Sequence, residues 1–282
     1  EAPVITDTPS DITITEGESY NLNDITVTDN SGIYTITKTI NNTSTLKHGT
    51  YLVGYKVTDE AGNTTNITRN LKVQMPADTS GASTPNISSG MIPVVYDYGK
   101  EAFVKADTSS NWYNYNNKEW ANIVILKDKN INYNAEEIIP ESNVDGYFVW
   151  IPRYKYQIFN LGNYNGYING KPSTSTEQEI KIVFESKSTS KSTGNVVGSY
   201  LTHPAFTLGT EELDGIWVAK YETSGSTTDI NILPNVESLR NINVKTMFDL
   251  AYNYERTMDS HMMKNTEWGA VAYLSHSKYG IN

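Results

Sequence analysis

Residues His261 to Gly280, HMMKNTEWGAVAYLSHSKYG, decide whether the second half of this chain reads as all-β or as mixed. Asn265 or Thr266 suits a helix N-cap, and Glu267 in the first turn complements the helix dipole. Trp268, Val271, Ala272 and Ser275 follow at i, i+3, i+4 and i+7. That spacing predicts a helix over Thr266 to Lys278 with one small-residue face for a sheet to cover. Gly280 is placed to stop it in the left-handed conformation. Just upstream, Val244 to Tyr254 predicts a second helix with Val244, Met247, Phe248 and Ala251 on one face. Two helices in a stretch otherwise rich in strand and turn signals predict an α+β domain.

The strand signals lie ahead of these helices. IPVVYDYGKEAFVKAD, starting at Ile92, reads as a hairpin bending at Tyr98-Gly99-Lys100, and NWYNYNNKEWANIVIL as strands flanking Asn116-Asn117. Further strands are GYFVWIPRYKYQIF from Gly146, IKIVF from Ile180 and GIWVAKY from Gly215; the polar SKSTSKSTGNVVG from Ser186 reads as an exposed loop. Before all of this, MPADTSGASTPNISSG has the composition of a flexible or extended linker. Residues 1–75 alternate apolar and polar in short runs such as ITIT, YTIT, YLV and LKV between Gly and Asn turns, which predicts six or seven strands of a β-sandwich. The chain therefore divides into a sandwich over 1–75, a linker over 76–90 and an α+β domain over 91–282.

Thirty-two acidic residues against 22 Lys and Arg give a net charge of -10, which argues against nucleic acid and anionic membranes as partners. With no cysteine, disulfides, thiolate metal sites and thiol nucleophiles are excluded. No run of about 18 apolar residues occurs, so no membrane insertion is expected within the chain. It opens at Glu1 with neither Met nor a signal h-region, as expected of a mature or trimmed product or an ordered fragment.

VTDNSG, GTYLVGYKVTDEAGNTT and the closing LKVQ resemble bacterial immunoglobulin-like modules found on surface proteins. GIWVAKYETS resembles the strand that carries Lys-Tyr-Glu-Val-Thr in the formylglycine-generating-enzyme-like fold, an elaborated relative of the C-type lectin fold. NVKTMFDLAYNYE and HMMKNTEWGAVAYL then occupy the places of that family's next two helices, matching at Thr266, Glu267 and Trp268. The block from Met91 to the end resembles uncharacterised surface and phage proteins of gut Firmicutes, where it often follows immunoglobulin-like repeats. The resemblance implies a multidomain protein: an all-β immunoglobulin-like sandwich plus an α+β C-type-lectin-like (formylglycine-generating-enzyme-like) domain. It brings no activity, since the oxidase chemistry of that family uses paired cysteines. The family fold continues beyond its Glu-Trp helix, so residues past Asn282 or another chain are expected to complete it.

The function expected from this is non-enzymatic recognition: a lectin-like adhesion domain displayed on an immunoglobulin-like stalk, extracellular, at a cell or virion surface. The partner expected is a host-surface glycan or protein. Self-association into a filament or phage decoration is the alternative, and an enzyme acting on surface glycans a second. Sugar sites stack flat apolar faces on aromatics beside amide partners. This pattern selects Tyr164, Tyr167, Asn163 and Asn165 in the loop LGNYNGYING, with Trp112, Tyr113 and Tyr115 of the nearby aromatic run. Trp150, Trp217 and Trp268 read as core. No cofactor is required. Asp29, Asp59, Glu60 and Asn63 offer oxygens for Ca²⁺, while ordinary turn chemistry explains the same residues, because no run gathers the six oxygens Ca²⁺ takes. The four histidines, His48, His203, His261 and His276, lack metal-ligand spacing, and no GxSxG, P-loop or GxGxxG motif occurs.

Overall fold

The computed structural model describes residues 1–7, 9–40, 46–158, 167–168, 171–172, 180–193 and 200–281. These residues are mostly β, with two α-helices. The chain divides into two compact units: residues 1–76 with 96–104, and residues 77–95 with 105–282.

In the first unit the strands are β1 (Val4–Ile5), β2 (Ile12–Thr15), β3 (Val27–Thr28), β4 (Tyr34–Lys38), β5 (Gly49–Asp59) and β6 (Thr64–Gln74). One sheet runs β2-β6-β5-β4, with β2 parallel to β6 and the other pairs antiparallel; β1 and β3 pair separately. Alternation along β5 and β6 sends Val53, Tyr55, Leu71 and Val73 inward onto Leu22, and that set is the core. The same alternation points Arg69 inward. Its guanidinium meets Asp24 with two 2.7 Å hydrogen bonds and lies 5.4 Å from the Tyr55 ring centre, so the buried charge is paired.

The second unit starts with the run expected to be a linker. Residues 77–90 have no regular secondary structure, but they form a strap held along this unit. Trp150 donates its indole N–H to the Ser83 carbonyl at 3.2 Å, Trp217 donates to Asn86 at 2.7 Å, and Asn114 donates to Ala77 at 3.2 Å. Composition records polarity and turn content; it does not record that two tryptophan N–H groups wait for carbonyls.

The strands that follow are β7 (Ile92–Asp97), β8 (Ala102–Lys105), β9 (Asn122–Leu126), β10 (Val144–Pro152), β11 (Tyr154–Gln157), β12 (Tyr167–Ile168), β13 (Lys171–Pro172), β14 (Lys181–Phe184), β15 (Leu201–Thr202), β16 (Thr207–Leu208), β17 (Glu211–Glu212), β18 (Gly215–Ala219), β19 (Ser224–Gly225) and β20 (Ile230–Asn231). The main sheet runs β18-β10-β9-β7-β8, and a smaller one β14-β11-β15. The helices are α1 (Val244–Tyr254) and α2 (Asn265–Ser275). Trp150, Ile151, Tyr154, Phe206, Ala270 and Leu274 form the core, and the Tyr154 hydroxyl donates to the Ala270 carbonyl at 2.7 Å, tying β11 to α2. Arg153 is fully buried between Glu185 and Glu212.

Several expectations need correction. Residues 112–117 form no strand; Tyr115–Asn117 is a 3-10 turn capped by Asn114, whose side chain accepts from Asn117 N–H. The entry to α2 is capped from Lys264, whose N–H donates to Glu267 at 2.7 Å. The helix ends at Ser275, short of Lys278. Gly280 is not left-handed; it is glycine because an ideal Cβ there would stand 1.8 Å from the Ser275 carbonyl oxygen. The buried face of α2 is Glu267, Ala270 and Leu274, so Trp268, expected in the core, is 62% exposed. On α1 the face is also turned: Val244 and Phe248 are exposed, and Met247, Leu250 and Tyr254 are half-covered.

Candidate functional site

An open cleft of about 700 Å³ lies in the second unit, walled by the end of β9, the start of β10, the β19–β20 hairpin and α1. Its construction begins with a break in a ladder. β9 and β10 pair Leu126 with Val144 and Ile125 with Gly146, which leaves Asp145 as the extra residue of a β-bulge. A bulge residue is released from strict alternation, so its side chain is re-aimed. The backbone at this point is used by the neighbouring segment: Ile232 N–H donates to the Asp145 carbonyl at 2.9 Å, and Tyr147 N–H donates to the Ile232 carbonyl at 3.1 Å. This fixes the hairpin beside the bulge and brings Thr227, Thr228, Asp229 and Asn231 to the cleft.

The opposite wall is α1. Asn243 caps it, accepting from Thr246 N–H at 2.9 Å. Thr246, Asp249, Leu250, Asn253 and Tyr254 recur at i, i+3, i+4, i+7 and i+8 and face the cleft. Tyr254 reaches the floor because residue 146 has no side chain: an ideal Cβ there would lie 2.4 Å from the Tyr254 hydroxyl oxygen. Its ring leans on Phe148, centre to centre 6.1 Å. At the far end Glu255 pairs with Lys129.

Electrostatics set this cleft apart from the turns around it. Asp145 is half-buried, and loss of solvent raises its carboxyl above the usual carboxylate range; the Tyr254 hydroxyl opposes this and Asp229 reinforces it. Burial, with the Asp145 charge beside it, also pushes the Tyr254 phenol far up. That hydroxyl faces the Asp145 carboxyl and is shut off from solvent. The cleft thus offers carboxylates, amides, hydroxyls and ammonium groups around a partly apolar floor of Leu126, Ile230, Leu250 and Tyr254.

The residues expected to bind ligand fall elsewhere. Asn163, Tyr164 and Asn165 lie outside the described residues, and of Tyr167 only the backbone is described, in β12 opposite Pro172. Trp112 and Tyr115 are corrected: both are buried in the core, where Tyr115 donates to the Trp150 carbonyl at 2.8 Å and packs on Trp120 and Phe184. Tyr113 is half-buried against them. Clustered aromatics at a strand entry pack on one another before they meet solvent.

The proposed Ca²⁺ oxygens are engaged in turns. Asp29 accepts from Ser31 N–H at 2.8 Å. Asp59 accepts from both the backbone N–H and the side-chain amide of Asn63 at 2.8 Å. Among the described residues no three His, Asp or Glu side chains are arranged to hold a metal. The cleft itself was missed in the sequence because its parts, at 126–129, 145, 227–231 and 246–255, are separated along the chain. The one local signal was the Asp145-Gly146 pair at the start of β10.

No curated protein matches the chain. Among solved structures it is similar to a lipoprotein of Bacteroides thetaiotaomicron, at 12% identity over 52% of this chain and 60% of that one, with a TM-score of 0.22. A second is the CBM51-2 module in complex with GlcNAc, with INT domains, of ZmpB from Clostridium perfringens. It matches at 13% identity over 64% of this chain and 41% of that one, TM-score 0.21. A third is the M60 catalytic domain with the CBM51-1 and CBM51-2 domains of the same ZmpB, at 13% identity over 65% and 20%, TM-score 0.20. The chain spans less than two thirds of each, and likeness at these scores carries no argument about fold or ligand. The N-terminal segment is different: residues 6–73 match the family model described as a bacterial surface protein Ig-like domain.

Proposed function

We propose that the second unit is a non-enzymatic recognition domain that binds a glycan in the cleft between the β10 bulge and α1, on a bacterial surface protein whose N-terminal unit is the immunoglobulin-like module. The observation that carries this reading is the cleft itself: about 700 Å³, with Tyr254 on its floor and polar groups on every wall. That volume falls within the ordinary range for small-ligand pockets, roughly 300–1,000 Å³. Side-chain amides and carboxylates are the groups that fix sugar hydroxyls, each serving two at once. The two helices and the central sheet are compatible with a C-type-lectin-like domain, which we keep as part of the proposal. The surface-module match over residues 6–73 supports the extracellular setting.

A glycan array probed with the full chain, followed by calorimetry on the best ligand, tests the reading. Asn253→Ala should weaken binding by about 1–2 kcal/mol with little change in melting temperature. The Tyr164→Ala/Tyr167→Ala variant separates the cleft from the aromatic loop: it should bind like the wild type. Loss of binding only in the loop variant would move the site to that loop, and an array with no retained glycan would end the reading. Incubation with the bound glycan should release no new reducing ends.

A further inference from the structure

We infer that the free edge of the second unit's main sheet is a contact for a second copy of this chain, the two β18 strands pairing antiparallel about a two-fold axis at Trp217. The inference goes beyond glycan recognition and does not rest on it.

The starting observation is an unpaired strand. β18 ends the order β18-β10-β9-β7-β8. Arg153 N–H donates to the Asp214 carbonyl at 2.7 Å, and Lys220 N–H to the Tyr147 carbonyl at 3.0 Å, one at each end of the strand. In that register Ile216 and Val218 turn their backbone groups toward β10. Gly215, Trp217 and Ala219 turn theirs outward, and among the described residues no backbone group bonds them. The strap over residues 77–90 reaches this strand through the Trp217 indole and the Asp214 carbonyl, and makes no hydrogen bond to these three outward groups.

The occupant is argued from the strand's own sequence. An antiparallel copy centred on Trp217 sets Gly215 against Ala219, Ile216 against Val218, and Trp217 against itself. The three outward residues then bond their counterparts in both directions, and none is left over. Trp217 leans on Trp150, ring centres 5.1 Å apart, which holds its ring to its own sheet. The same register brings Asp214 opposite Lys220 of the second copy, at both ends of the pair. Opposite charges across strands stabilise a pairing, and like charges oppose it. Asp214 already accepts from Lys187 N–H at 2.8 Å, and a carboxylate has lone pairs for a further donor. An unrelated extended peptide has no reason to match both charges at this spacing.

The contact spans five residues and each copy carries a net charge of -10, so the pair is weak. A Kd of about 0.1–1 mM leaves the chain monomeric at micromolar concentration, while copies tethered side by side reach about millimolar effective concentration and pair. The two-fold closes the contact, so this edge makes pairs and not fibres.

Sedimentation equilibrium of the full chain from about 10 µM to about 1 mM reads the pairing, with amide NMR shifts followed over the same range. The mass should rise toward that of a dimer, and the amides of Trp217 and Ala219 should shift more than those of Ile216 and Val218. Ala219→Pro removes an outward donor and no bond of the chain's own ladder, so it should abolish pairing at unchanged circular dichroism. Asp214→Lys and Lys220→Glu should each fail to pair alone and should pair when mixed, because only the mixture sets opposite charges across both ends. A monomer throughout would overturn the inference. So would association that Ala219→Pro leaves intact, or charge variants that pair no better mixed than alone. Where Asp214→Lys does not fold, Ala219→Pro and the amide shifts decide.

Discussion

His203 shows how one buried side chain couples this fold to pH. It is 3% exposed, its Nδ1 accepts from Ala205 N–H at 3.3 Å, and rings of Tyr154, Tyr156 and Tyr273 stand 5.3–5.4 Å from its own. Burial among apolar rings disfavours the imidazolium, and its pKa falls to about 4. In the unfolded chain the same group titrates near 6.5. Between these values the unfolded state holds the extra proton. The contribution is therefore complete above about 6.5 and is lost as pH falls toward 4. At pH 5 the expected loss is up to about 2 kcal/mol. Urea unfolding at pH 7 and pH 5 measures it, and His203→Gln should flatten the difference even though it starts less stable. A difference unchanged in the variant would assign the slope to other groups. In the sequence His203 precedes Pro204 and reads as a turn or strand-edge residue; in the structure it caps the 3-10 turn Pro204–Phe206. Its burial was not legible, because the rings around it come from β11 and α2, far along the chain.

At the scale of elements, periodicity named both helices and failed on their faces. For α1 the apolar set Val244, Met247, Phe248 and Ala251 does share a side, yet Val244 is 72% and Phe248 51% exposed. Spacing says which residues lie together; what packs against them is decided by partners the pattern does not contain. Here the partner is the cleft, so the polar and tyrosine face turns toward the second unit's sheet. The β10 bulge was equally hidden, since one extra residue in a ladder is visible only once register with β9 is known. The sandwich strands were easier, because alternation along β5 and β6 agrees with their burial. The bulge carries a prediction. Gly146→Ala would place a methyl 2.4 Å from the Tyr254 hydroxyl and 3.0 Å from the Phe148 ring. Overpacking of this kind costs about 1–3 kcal/mol. The variant should melt earlier and bind any cleft ligand more weakly, whereas Gly17→Ala, whose Cβ meets nothing but whose φ is +86°, should lose stability with binding intact. Unchanged binding in Gly146→Ala would mean that Tyr254 does not shape the site.

For the whole molecule the open question of recognition against assembly turns on the edge of the first unit's sheet. β4 is a terminal strand in the order β2-β6-β5-β4, and Ile33, Tyr34 and Ile36 on and beside it are all exposed by 39% or more. A terminal strand with apolar side chains is a template for pairing with another chain, and that is how a structural subunit would polymerise. Two features oppose it: Lys38 at the strand's end, and a net charge of -10 that makes copies repel. At physiological salt the screening length is about 8 Å, so repulsion acts mainly at close approach, which is where an edge would have to pair. The expected outcome is a single monomer peak by size exclusion with light scattering at micromolar concentration. The measurement is then repeated at about 1 M salt, where screening removes the repulsion. Larger species that appear only there, and that Ile36→Lys abolishes, would locate a latent edge contact held off by charge. Large species at physiological salt, abolished by the same substitution, would instead make the chain a structural subunit. Large species that survive it would place assembly on another surface and leave the β4 edge without a role.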